Sequence, residues 1–138
     1  MTPARMAEIH AAAFQTQRPW SETEFVDLLA SDLVFQTAPS TACFALGRAV
    51  AGEAELLTIA TDPALQGLGH GKSCLSAFLD ECRAQNVSDV FLDVSKENTQ
   101  AIGLYRVFGF EVSGQRKEYY HHPDGTFGDA LLMTLKLA

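Results

Sequence analysis

The sequence predicts an α/β fold: one mixed sheet with helices on its faces. Three observations carry this. The segments run in the order α-α-β-β-β-α-β-α-β-β. Leu75, Phe78, Leu79 and Cys82 recur at i, i+3, i+4, i+7, the period of a helix that buries one side. Before and after that helix lie short runs rich in strand-forming residues, separated by turn signals.

In chain order, a first helix runs from about Pro3 to Phe14, with proline in its first turn, where no backbone N–H is needed. In "PWSETEF", Ser21 as N-cap and Glu24 three residues on make a capping box; this helix runs to about Ala30 with Phe25, Leu28 and Leu29 inward. "LVFQTA", "ACFALGRAV" and "EAELLTIATD" then read as three strands. Short turns at Pro39-Ser40 and Ala51-Gly52 predict an antiparallel meander. Pro63 stops the third strand, and a Gly-rich loop leads into a helix from about Gly71 to Asn86. "DVFLDVS" is the strand reached by that crossover: Val90, Leu92 and Val94 share one face, and Phe91, Asp93 and Ser95 the other. "NTQAIGLYRVFGF" is a further helix, begun by Asn98 and ended by Gly109 in the left-handed conformation. "FEVSGQ" and "DALLMTLKL" are closing strands, with "YYHHPDGTFG" in a long loop between them.

With 138 residues, 47% hydrophobic and 20% charged, the chain reads as a single domain spanning 1–138 with an adequate core. Ten basic against 17 acidic residues give a net charge of −7, which disfavours nucleic acid as a partner because few cations are available to displace counterions. An acidic surface suits solubility and is compatible with a basic peptide. Cys43, Cys74 and Cys82 are odd in number and lack C-x-x-C spacing; they read as small core residues in a reducing cytoplasm. No segment reads as a leader or a membrane span. His121-His122 has no further ligand spacing, and no metal is expected. The oligomeric state stays open.

"QGLGHGKS" ends like a nucleotide-binding P-loop. A Walker loop needs Gly, four residues, then Gly-Lys-Ser; here Gln66 stands where the first glycine belongs, and Gly67 leaves the loop one residue short. The loop is also G-x-G-x-G rather than the dinucleotide fingerprint G-x-G-x-x-G. A glycine-rich turn between a strand and a helix N-terminus is still an anion site, since free amides and the helix dipole face the ligand. Gly67, Gly69 and Gly71 admit a close approach, and Lys72 adds charge at the rim.

The pattern that fits is Q-x-x-G-x-G, Gln66, Gly69 and Gly71, which resembles the acetyl-CoA pyrophosphate loop of the GCN5-related N-acetyltransferases (GNAT). "LLTIATDPALQGLGHGKSCL" resembles that family's whole strand–loop–helix unit, and "NTQAIGLYRVFGF" its second signature. "RPWSETEF" and "EYYHHPDGTFGDALLMTL" resemble the ribosomal-protein-alanine N-acetyltransferase (RimI-like) branch. The resemblance implies a mostly antiparallel GNAT sheet with helices on both faces. It also implies a strand ahead of the first helix, which this sequence reads as lacking. The implied activity is acetyl transfer from acetyl-CoA to a protein or peptide N-terminus, an alanine of a small-subunit ribosomal protein. A small-amine acceptor, or an acyl-CoA-binding relative without catalysis, is the alternative.

The resemblance also assigns roles. Gln66, Gly67, Leu68, Gly69, His70, Gly71 and Lys72 would hold the pyrophosphate, and Asn98 the cofactor's arm. Main-chain groups of Ile59, Ala60 and Thr61 would pair with that arm and stabilise the oxyanion. Tyr105 would protonate the leaving thiolate; a phenol near pKa 10 keeps its proton at pH 7. Asp93 stands where the branch has its general-base glutamate, one methylene shorter, beside an aromatic residue that favours a raised pKa. Glu55, on the strand that supplies the oxyanion groups, is the rival base. Trp20, Tyr119, Tyr120 and Asp129 would line the peptide groove. An α-amine with pKa near 8 is roughly 10% neutral at pH 7, against about one in 2500 for lysine, so a modest base suits an N-terminal acceptor.

Overall fold

The computed structural model describes residues 1–14, 18–122 and 124–137. Helix α1 (Pro3–Ala13) is capped by Thr2, whose side chain accepts from the Arg5 N–H. Helix α2 (Glu22–Leu29) carries both bonds of the expected Ser21/Glu24 capping box. Strands β1 (Val34–Ser40), β2 (Cys43–Val50) and β3 (Glu53–Thr61) form the meander. A 3₁₀ turn (Pro63–Leu65) leads to α3 (His70–Ala84), β4 (Asp89–Ser95), α4 (Thr99–Val107), β5 (Glu111–His121) and β6 (Phe127–Lys136). The sheet order is β1-β2-β3-β4-β6-β5, with the β3–β4 pair parallel and the others antiparallel.

Two element boundaries differ from the sequence reading. Pro39 and Ser40 belong to β1 rather than to a turn; β1 is an edge strand, and the register shifts between Thr37 and Ser40, so the missing proline N–H costs no ladder bond. The long loop between the closing strands is a hairpin. Tyr119, Tyr120 and His121 continue β5, Tyr120 opposite Gly128 and His121 opposite Phe127, and the chain reverses around Asp124-Gly125.

Each sheet face has its own core. On one face α3 and α4 cover Ala45, Leu56, Val90, Leu92 and Met133, with Leu75, Phe78, Leu79 and Cys82 inward as the period requires. Cys43, Cys74 and Cys82 are all buried there as free thiols. Phe35 and Phe78 stack at 5.5 Å across Gly47, where any Cβ would land within 3.0 Å of both rings. On the other face α1 and α2 bring Met6, Ile9 and Phe25 onto Phe44, Leu46 and Ala60. Helices thus lie on both faces, as expected.

Two irregularities of β3 open the sheet at its centre. Leu46 opposes Thr58 while Gly47 opposes Leu56, so Leu57 is an extra, bulged residue. Leu57 and Thr58 therefore both turn toward α1: Leu57 packs in its core and Thr58 meets His10. In addition, β3 pairs with β4 only over Glu53–Glu55 and Asp89–Phe91. Beyond Glu55 the two strands part, and alternate peptide groups of β3 up to Thr61 face an opening instead of a neighbour.

Candidate active site

A cleft of about 900 Å³ occupies that opening, of the size that takes a small-molecule cofactor. Ile59, Ala60 and Thr61 form one wall, and Ser95, Asn98, Ala101, Leu104 and Tyr105 the other. Gln66, Gly67, Gly69, His70, Gly71 and Lys72 close the end where α3 begins. Leu68 is the exception in that stretch: its side chain is 69% exposed and does not line the cleft.

The local reasons for this shape are specific. Asp62 ends β3 and accepts from Ala64 N–H, turning the chain; Arg5 of α1 clamps it at 3.0 Å and also reaches the Thr41 carbonyl. Gly67 and Gly69 have φ of +81° and +83°, a region side chains rarely enter, with open space where a Cβ would stand. Gly69 is the N-cap of α3 with no side-chain capping bond, and the first helical bond runs from Ser73 N–H to the Gly69 carbonyl. The amides of His70, Gly71 and Lys72 thus precede any intrahelical bond and lie at the positive end of the dipole. A diphosphate fits this cradle, and an extended amide-bearing arm fits the unpaired edge of β3.

Asn98 caps α4, its Oδ1 accepting from Ala101 N–H at 3.1 Å. Tyr105 packs at 5.7 Å from Phe110 and is buried, yet its ring reaches the cleft. Its hydroxyl has no hydrogen-bond partner among the described residues. Burial pushes its pKa above the ordinary value of 10, with Tyr120 and Cys74 adding to the effect.

The two carboxylates stand on the sheet face turned away from α3. Glu55 is in register with Arg48 of β2 and Phe91 of β4, and Asp93 shares Phe91's face. Burial first, then the Asp93 charge, raises the Glu55 pKa, against Arg48 and Arg116. Asp93 Oδ1 is buried without a hydrogen bond, and Arg116 Nε lies 3.6 Å from it. Tyr120 comes close enough to feel the Asp93 charge, and burial together with that charge raises its phenol.

The remaining expected groove residues have structural partners. Trp20 donates its backbone N–H to His10 Nδ1 and stacks on that ring at 5.1 Å. Asp129 accepts from Glu118 N–H and Gln115 Nε2, both at 2.9 Å, holding the bulge where Glu118 has φ +53°. Tyr119 is 43% exposed, meets Tyr120 edge-on and lies under the Arg116 guanidinium. The sequence reading missed Arg116, His10, Phe14 and Ser95. Only Ser95 had a local signal, its place on the Asp93 face; the others depend on contacts distant in the chain.

The acetyltransferase (GNAT) family profile matches residues 6–110. The chain is 33% identical over 136 residues to the ribosomal protein bS18-alanine N-acetyltransferase of Haemophilus ducreyi, covering 96% of this chain and 92% of that protein. It is 36% identical over 123 residues to the Escherichia coli K12 protein of the same name, with 87% and 82% covered. The crystal structure of the ribosomal-protein-S18-alanine N-acetyltransferase from Escherichia coli superposes with a TM-score of 0.87 at 31% identity, over 99% of this chain and 88% of that one. The fold is also that of yncA from Salmonella typhimurium, solved with its cofactor acetyl-CoA (TM-score 0.78, 23% identity, 99% and 88% covered). A profile spanning both signatures, with full-length relatives at this identity, settles the family: the chain belongs to the GNAT acetyltransferases and is an acetyl-CoA-dependent N-acetyltransferase.

Proposed function

We propose that this enzyme acetylates the α-amine of a protein N-terminus, and that the acceptor is the alanine of a small-subunit ribosomal protein such as bS18, the acceptor in the names of its relatives. The observation that carries the reading is the parting of β3 and β4 beyond Glu55. Tyr105 reaches the opening from the α4 side, and Glu55 and Asp93 stand on the opposite face, where an amine can enter. Acetyl-CoA, when bound, supplies an activated thioester.

The chain's residues then divide the work. The amides at the start of α3 bind the diphosphate, and the free edge of β3 at Ile59–Thr61 aligns the arm and donates to the carbonyl oxygen as it gains charge. Glu55 and Asp93 receive the ammonium, and a carboxylate removes its proton. Burial and the neighbouring Asp93 charge raise the Glu55 pKa toward neutrality, as a general base needs. Tyr105 keeps its proton at neutral pH and, with no competing partner among the described residues, gives it to the departing sulfur. Tyr119 and Tyr120 flank the entry, while Trp20 and Asp129 shape it through their bonds to His10 and to Glu118 and Gln115. Such an acceptor implies a cytoplasmic enzyme; no helix among the described residues is long and apolar enough to cross a membrane.

A peptide with the N-terminal sequence of such a ribosomal protein, incubated with acetyl-CoA, should gain one acetyl mass on its α-amine, and a chemically blocked copy none. Thiol release with small amines but no gain on any alanine peptide would assign a different acceptor.

A further inference from the structure

Glu55 and Asp93 lie on one sheet face, so two carboxylates are available to divide the binding and the deprotonation of an amine between them. Within register, Arg116 of β5 is opposite Ala130 of β6, which is opposite Ser95 of β4; Asp93 is opposite Leu132. Arg116, Ala130 and Asp93 therefore share a face, and the small, fully buried Ala130 leaves the guanidinium a path over β6. The guanidinium arrives 3.6 Å from the unbonded Asp93 oxygen, with its carbon 5.1 Å from the centre of the Tyr119 ring. The other charged or titratable groups facing this pair are Glu55 from β3, Arg48 from β2 and Tyr120 from β5.

We propose that Arg116 is a positioning residue of the acceptor site: its guanidinium fixes the place of the Asp93 side chain as the anchor for the incoming ammonium and so leaves proton removal to Glu55. This deepens the acetyl-transfer reading and rests on it. The arrangement needs arginine's planar head, which lies over Tyr119 while its Nε faces the carboxylate; lysine keeps the charge but not the stacking. The opposing pulls on Glu55, raised by Asp93 and lowered by Arg116, agree with this division.

Carbon-13 NMR of carboxyl-labelled glutamate, with Glu55→Gln to assign the signal, reads the Glu55 side of this division. In Arg116→Gln the Glu55 midpoint should rise by about 0.5–1 unit, discounted from a fully buried pair because the arginine is half exposed. Arg116→Lys should recover part of that rise, and the acidic limb of kcat/KM for the acceptor should move with it. Thermal stability and acetyl-CoA affinity should stay put. A Glu55 midpoint within about 0.2 unit of wild type in Arg116→Gln overturns the proposal, as does an equal shift in the lysine variant. The titration stands apart from turnover: a wild-type enzyme inactive on alanine peptides defeats the acceptor assignment, while the NMR still judges Arg116.

Discussion

A phenol at a cleft wall can belong to the core or to the chemistry, and Tyr105 has features of both. Its ring is 6% exposed and packs on Phe110, which a phenylalanine would reproduce; its hydroxyl bonds to no group among the described residues, which a purely structural tyrosine seldom leaves so. Tyr105→Phe therefore separates the two roles. Steady-state kinetics should show kcat down by about 100- to 1000-fold, the range for losing a positioned general acid, with acetyl-CoA affinity within about threefold by calorimetry. A kcat within a few-fold of wild type would make Tyr105 core alone. At this scale a residue in a local signature is found lining the cleft, as Gln66, Asn98 and Tyr105 are. The sequence was silent where a role comes from distant partners. Nothing around Arg116 indicates that its side chain crosses β6 to Asp93, and nothing around Trp20 indicates that its N–H is already taken by His10.

Among the elements, the β3–loop–α3 unit is the one whose local sequence specifies its shape almost completely. Asp62-Pro63 turns the chain, and two left-handed glycines aim the α3 amides into the cleft. Gly69→Val puts a β-branched side chain at φ +83°, with a cost of about 1–2 kcal/mol, and a Cβ where the ligand must approach. Acetyl-CoA binding should weaken tenfold or more by calorimetry while the far-ultraviolet circular dichroism stays native. Unchanged affinity would show that this turn does not cradle the diphosphate. Helices were legible for the same local reason: capping box, period and stop signal all lie within the segment. The β5–β6 hairpin was misread because the Gly, Pro and Asp of "HHPDGTFG" look like a loop, whereas Tyr119, Tyr120 and His121 continue β5 and the tyrosines have the β propensity that the ladder uses. The Leu57 bulge was invisible, since it is a mismatch between β2 and β3 and not a property of either strand.

For the molecule as a whole, His10 links parts that the sequence keeps apart. It is 4% exposed, accepts Trp20 N–H at Nδ1, lies 3.3 Å from Thr58 Oγ1 at Nε2, and stacks on Phe14 at 4.2 Å. One ring thus joins α1, the segment leading into α2, the bulge of β3 and, through Phe14, the cleft wall. With Nδ1 accepting, the imidazole is neutral and Nε2–H donates to Thr58; a second proton would face the Trp20 N–H. Burial lowers its pKa from 6.5 to about 4, Glu24 partly opposing and Arg18 adding to the effect. Because the folded pKa lies below the unfolded one, the unfolded chain binds the extra proton first. Stability is therefore full above about pH 6.5 and falls as pH drops from there toward 4, by at most about 3 kcal/mol. The lowered carboxylates Glu24, Asp62, Asp124 and Asp129 act at lower pH, below the ordinary carboxylate values, and raised Glu55 works in the opposite sense, favouring the folded state as it protonates. Between pH 6.5 and 5 the histidine is thus the group whose protonation destabilises the fold. Urea midpoints should fall across it in wild type, and His10→Gln, which cannot charge, should start lower at pH 7.5 but lose clearly less between 7.5 and 5. Parallel slopes in the two proteins would mean that the acid sensitivity lies elsewhere and that His10 only fills space.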